Sequence, residues 1–233
     1  MGKSLWQPTA AAHMSAFLQA HCQATSITPV GSVTAPDTLD IFSDVDLKIA
    51  LPSPTPLPLP SLLAALEKQF GPILGFETHL STTTDTLRLC FVNGHRYDLS
   101  FIYPQPKDPH PVQINPASTL HIFWFLSAMA LVKLGRKDHL IAAHLALEIY
   151  QLAIVMDMEK RDQALGTQIH RHGQEEPVPI LDILSYPSPK NPLTTQQQII
   201  AMVINIATFV DNAPDKIQCL RSLTGHILYT NLN

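Results

Sequence analysis

The feature that most restricts how this chain folds is a strand with two carboxylates on one side. Asp44-Val45-Asp46-Leu47-Lys48-Ile49 alternates so that Val45, Leu47 and Ile49 take one face while Asp44, Asp46 and Lys48 take the other. Like charges one strand repeat apart repel, so such a pair is a poor choice for stability alone. A hard divalent cation with its preference for oxygen donors would be held well between them. Ahead of Asp44, separated from it by eleven intervening residues, stands Gly31-Ser32. A small pair of this kind lets a triphosphate approach the backbone closely and offers it a hydroxyl and amide donors.

Gly-Ser, a spacer of this length and Asp-x-Asp on a strand resemble the signature of the DNA polymerase β-type nucleotidyltransferase superfamily. The resemblance covers roughly the first 105 residues. It implies a third carboxylate on a later antiparallel strand, and Asp98 in Arg96-Tyr97-Asp98-Leu99-Ser100-Phe101 is well placed for it. One departure stands out. Many members of the family carry Arg or Lys just after Gly-Ser, whereas here the spacer opens Val33-Thr34-Ala35-Pro36-Asp37-Thr38, without a cation.

Taken in order, the chain opens with a helix over about 5–22, on which Met14, Phe17 and Leu18 fall at helical spacing, and a short first strand ends in Val30. The run Leu51 to Pro60 holds five prolines and reads as an extended connector. Ser61 is placed to cap a crossover helix over 62–70 that Gly71-Pro72 ends. A third strand is expected over 74–80. Two more flank Asn93-Gly94, the strongest short hairpin signal. A two-residue turn there predicts that Leu89 faces Asp98 and that Arg96, Asp98 and Ser100 share a face. Arg96 and Lys48 are then the candidates for the missing phosphate-binding cation.

Four prolines in Tyr103 to Pro111 mark a linker, 106–116, between a catalytic domain at 1–105 and a helical domain at 117–233. In the second, helices are expected over 119–134, 138–162, 194–211 (capped by Thr194 or Thr195) and 215–230, with a short proline-bounded element at 180–184. The predicted fold class is α+β: a small mixed or antiparallel nucleotidyltransferase sheet with flanking helices, followed by an all-α helical bundle. That two-part plan also resembles the nucleotidyltransferases that modify aminoglycoside and lincosamide antibiotics.

With 15 Lys and Arg against 19 Asp and Glu, and no cationic cluster, the chain is a poor partner for nucleic acid, whose binding is dominated by cationic contacts to phosphate. Cys22, Cys90 and Cys219 are odd in number and lack metal-like spacing, which fits a reducing cytoplasm. No uninterrupted apolar run reaches membrane-spanning length, so no membrane partner is expected. The apolar helical surface leaves a homodimer open.

The family resemblance implies two Mg2+ ions held by Asp44, Asp46 and Asp98, with ATP or another nucleoside triphosphate as co-substrate and Gly31, Ser32, Lys48 and Arg96 on the nucleotide side. It also implies a helical-domain carboxylate as general base, for which Glu148, one helical turn after His144, is the best-placed acid. The expected reaction moves a nucleoside monophosphate, AMP from ATP by preference, to a hydroxyl of a small antibiotic-like molecule. The alternatives are a protein or tRNA acceptor, or a catalytically degenerate protein that binds a nucleotide or a partner. Trp124 could stack on an acceptor or simply fill a core.

Overall fold

The structure, a computed structural model, describes residues 5–107, 118–166, 192–211 and 213–230. Most of the predicted linker and the element expected at 180–184 lie outside the described residues. Close contacts divide the chain into two units, Met1–Ser118 and Thr119–Asn233.

The described residues of the first unit form a five-stranded mixed sheet with two helices. Helix α1 (Gln7–His21) leads to β1 (Ser26–Val30), and two 3-10 turns, Gly31–Thr34 and Pro36–Thr38, precede β2 (Val45–Ala50). Helix α2 (Leu59–Phe70) then connects to β3 (Ile73–Leu80), β4 (Thr84–Phe91) and β5 (Arg96–Ile102). The strand order is β1-β2-β5-β4-β3, with β2 and β5 parallel and the other neighbours antiparallel. The link from β2 to β3 is therefore a crossover past two strands, and α2 supplies it. It begins at Leu59, not Leu62; a proline sits in its first turn, where a missing N–H costs nothing, and Ser61 donates back to the Pro58 carbonyl (2.8 Å) instead of capping.

One face of the sheet is apolar. Val45, Leu47, Ile49, Leu87, Leu89, Tyr97, Leu99 and Phe101 are buried there, and Met14 and Leu18 from α1 and Leu62 and Leu66 from α2 are buried with them. Phe70, at the end of α2, ties the layers together, its ring 5.4 Å from Phe17 and 6.5 Å from Tyr97. The polar members of the same strands are left to the opposite face, as period-2 alternation requires.

The hairpin differs from the predicted register by one residue. Phe91 N–H donates to the His95 carbonyl (2.9 Å) and Gly94 N–H to that of Phe91 (2.8 Å), with Gly94 at φ +85°. The loop is thus the three residues Val92-Asn93-Gly94, a turn closed by a left-handed glycine. Cys90 pairs with Arg96, Leu89 with Tyr97 and Arg88 with Asp98. A slip of one residue exchanges the faces of a strand, so a charged side chain and not Leu89 stands opposite Asp98.

Lys107, placed in the linker by the proline pattern, belongs to the sheet unit. Its Nζ meets Asp85 Oδ2 at 2.5 Å with both side chains essentially unexposed, and the Tyr103 hydroxyl donates to the same oxygen (2.6 Å).

In the second unit, the described residues form helices α3 (Thr119–Gly135), α4 (His139–Leu165), α5 (Pro192–Val210) and α6 (Pro214–Thr230). Helix α5 starts at Pro192, so Thr194 and Thr195 fall inside its first turn rather than ahead of it. Trp124 is fully buried, its Nε1 donating to Asp211 Oδ2 (3.2 Å), which makes it a core residue. By length and composition alone α4 could cross a membrane, which the sequence reading did not single out. His144, Glu148 and Gln151 interrupt its apolar character, and only one stripe, Ala142, Ala146, Ile149 and Ala153, is buried, while Leu140 and Val155 are exposed.

Candidate active site

Asp46 begins a polar row that crosses the sheet from β2 to β3. Its register partners are Val30 on β1 and Asp98 on β5; Asp98 is paired with Arg88 on β4, and Arg88 with Glu77 on β3. Because registered residues share a face, Asp46, Asp98, Arg88 and Glu77 stand side by side on the face opposite α1 and α2. Asp44 precedes the strand by one residue and lies near enough to Asp98 to act on its charge.

The Gly31-Ser32 turn closes directly on Asp46. Gly31 has φ +66°, and a Cβ built there would run into Asp46 Oδ2 and stand 3.2 Å from its Cγ. Only glycine allows the backbone this close to the carboxylate. The next residue, Ser32, has a buried Oγ without a hydrogen-bond partner among the described residues. A buried hydroxyl left unpaired is costly and uncommon. Its position beside the carboxylate row is where the sequence placed a phosphate contact.

Asp98 is half-buried, and its carboxyl is raised above the ordinary carboxylate range. Burial is the largest cause, Arg88 opposes it, and Asp44 and Glu77 add to it. Arg88 Nε lies 3.2 Å from Asp98 Oδ2, while its Nη1 lies 2.5 Å from Glu77 Oε1. Arg88 did not emerge from the sequence because the two-residue turn put it on the other face. The signal was present: Leu87, Leu89 and Phe91 alternate as a core stripe, and only the three-residue loop sets them opposite the core residues of β5.

Of the two candidate phosphate cations, Arg96 is ruled out by its surroundings. It is 2% exposed, and its guanidinium donates to the carbonyls of Gly94 (2.6 Å), Ile41 (3.1 Å) and Ser43 (3.2 Å). Gln7 Nε2 donates to the Asp40 (2.6 Å) and Ser43 (3.0 Å) carbonyls from the start of α1. Arg96 and Gln7 together fix the loop that delivers Asp44, which is a positioning role. Lys48 is exposed on the carboxylate face, one strand repeat beyond Asp46 and in register with Ser100.

Among the described residues, no three His, Cys, Asp or Glu side chains are drawn together tightly enough to hold a metal ion as they stand. The donor chemistry nevertheless suits a hard cation. Asp44, Asp46 and Asp98 offer oxygens only, beside a turn in which a Cβ has no room. Glu148 lies in the helical unit, its Oε1 3.2 Å from His144 Nε2 on the same exposed helix face. An open cavity of about 400 Å3 lies at the hairpin end of the apolar face, lined by Trp6, His13, Phe70 and His95 among others, and none of the three acids borders it.

No protein-family model matches this sequence, and no curated protein matches it. Among solved structures it is similar to a STING-associated CdnE c-di-GMP synthase from Capnocytophaga granulosa. That match has 13% identity and a TM-score of 0.31 and covers 97% of this chain and 80% of that one. It is also similar to a CdnE cyclic dinucleotide synthase from Elizabethkingia meningoseptica, solved with GTP and Apcpp. Here the identity is 12% and the TM-score 0.29, over 99% of this chain and 93% of that one. Scores at this level describe a loose superposition, and the site stands on this chain's own residues.

Proposed function

We propose that the sheet unit carries out metal-dependent nucleotidyl transfer, moving a nucleoside monophosphate, AMP from ATP in the first instance, to a hydroxyl of a small antibiotic-like molecule. The observation that supports this reading most is the closure of the Gly31-Ser32 turn on Asp46, with Asp98 registered beside it on the neighbouring strand. A triphosphate lying along that turn meets backbone donors and the unpaired Ser32 Oγ, with Lys48 on the same face. Magnesium held by Asp44, Asp46 and Asp98 would neutralise phosphate charge and lower the pKa of the attacking hydroxyl.

The transfer balances simply. The acceptor oxygen forms its bond to the α-phosphorus as the bond to the bridging oxygen breaks, pyrophosphate leaves toward Ser32, and the hydroxyl proton passes to a carboxylate or to water.

Incubation with labelled ATP, magnesium and a panel of aminoglycosides, lincosamides, nucleotides, protein and tRNA tests the reading. Acceptor-dependent pyrophosphate release that falls at least a hundredfold in Asp46→Asn is the expected result. Label on protein or RNA would move the acceptor to a macromolecule, and ATP binding without turnover by any acceptor would leave a binding protein.

A further inference from the structure

Resting on that reading, we propose that Arg88 is an internal counter-cation that occupies Asp98 until a divalent cation arrives, with Glu77 as the carboxylate that retains it afterwards. Three registered positions carry this inference. Asp98, Arg88 and Glu77 are partners across β5, β4 and β3, so one guanidinium stands between two carboxylates and bridges them through different nitrogens. The contacts are unequal: Nη1 to Glu77 Oε1 is 2.5 Å, whereas Nε to Asp98 Oδ2 is 3.2 Å. Arg88 is already held more closely by the acid outside the Asp46 corner.

All three side chains are partly exposed, at 39% for Arg88, 27% for Asp98 and 30% for Glu77. Ion pairs of that exposure are weak individually. A divalent cation, with twice the charge and a stronger demand for carboxylate oxygen, can therefore displace the guanidinium from Asp98 without unfolding anything. The arrangement also accounts for the lack of a ready three-acid cage among the described residues, since the third carboxylate is engaged elsewhere. Arg88 is thus a positioning residue with two effects. It keeps Asp44, Asp46 and Asp98 from spreading apart by repulsion when no cation is present, and it weakens cation binding by competing for Asp98.

The test is titration of the full-length protein with manganese chloride, free Mn2+ being read by electron paramagnetic resonance. Removing the competitor in Arg88→Gln should tighten Mn2+ binding at least fivefold. Arg88→Lys, which keeps the charge, should return it to within twofold of the unaltered protein, a rescue that loss of packing alone would not give. Glu77→Gln, which takes from Arg88 the closer of these two carboxylates, should weaken Mn2+ binding about threefold, and it decides the matter if Arg88→Gln fails to fold. Equal or weaker binding in Arg88→Gln, or unchanged binding in Glu77→Gln, overturns the proposal. If Mn2+ binds, is lost in Asp46→Asn and ignores both Arg88 and Glu77, only the counter-cation role fails. If the unaltered protein binds no Mn2+, the transfer reading falls and takes this inference with it.

Discussion

Gly31 concentrates two demands in one residue, a left-handed backbone and an open space for the Asp46 carboxylate. Gly31→Ala should separate them. The left-handed conformation costs an alanine about 1–2 kcal/mol, and the atom it would strike is the tip of a short side chain, able to rotate away. The expected result is a modest drop in the urea midpoint together with a loss of nucleotidyl transfer far beyond what that drop explains, because Asp46 must leave the row to admit the methyl group. Transfer assays and urea denaturation on the same preparation decide this. If both fall in proportion, the glycine is a folding device and no more. The neighbouring loop shows a second residue-scale division of labour: Arg96 carries a charge on the carboxylate face yet spends it on the Ile41 and Ser43 carbonyls. Side-chain direction made it look like a phosphate ligand, and burial makes it a brace.

At the scale of elements, the start of β4 is pinned to the chain that follows β5 by a buried ion pair. Lys107 Nζ and Asp85 Oδ2 meet at 2.5 Å with the Tyr103 hydroxyl on the same oxygen, and that hydroxyl accepts from Leu57 N–H (3.3 Å) in the proline-rich connector. Breaking one partner strands a buried charge, so Lys107→Met should cost about 3–5 kcal/mol. Lys107→Met with Asp85→Leu should recover much of that loss, since two apolar groups leave no charge uncompensated. Chemical denaturation of the two variants measures it, and a single variant that unfolds like the unaltered protein would refute the account. This cluster also marks the limit of what sequence could reveal. The alternation of Val45, Leu47 and Ile49, the crossover helix and the Asp46 and Asp98 face were legible because strand and helix periods are local. The hairpin register was not, because Asn93-Gly94 suits both a two-residue turn and the three-residue loop that was formed, and core packing of Leu87 and Leu89 chose between them. Lys107 was missed for a related reason: prolines announce a linker, but a buried partner 22 residues away is invisible to any local pattern.

For the molecule as a whole, the two units carry separate cores, one built on the sheet and one on α3, whose residues from Phe123 to Val132 are buried on every side. The polar face of the sheet is acidic, with Asp44, Asp46, Asp98 and Glu77 against Arg88 and Lys48, and the formal charge of the full chain is −4. This balance bears on the acceptor. A protein that grips RNA or DNA gains affinity by releasing counterions from phosphate, and its binding therefore weakens steeply as salt rises. A face dominated by carboxylates repels a polyanion, whereas a metal-escorted triphosphate enters with much of its charge neutralised and a cationic or polar small molecule is drawn in. Fluorescence anisotropy with labelled tRNA should accordingly show no saturable binding at micromolar protein in 50 mM salt, and no change on going to 200 mM. Binding that appears at low salt with a steep slope would show that cations elsewhere on the chain outweigh the carboxylate face, and the acceptor would then have to be sought among nucleic acids.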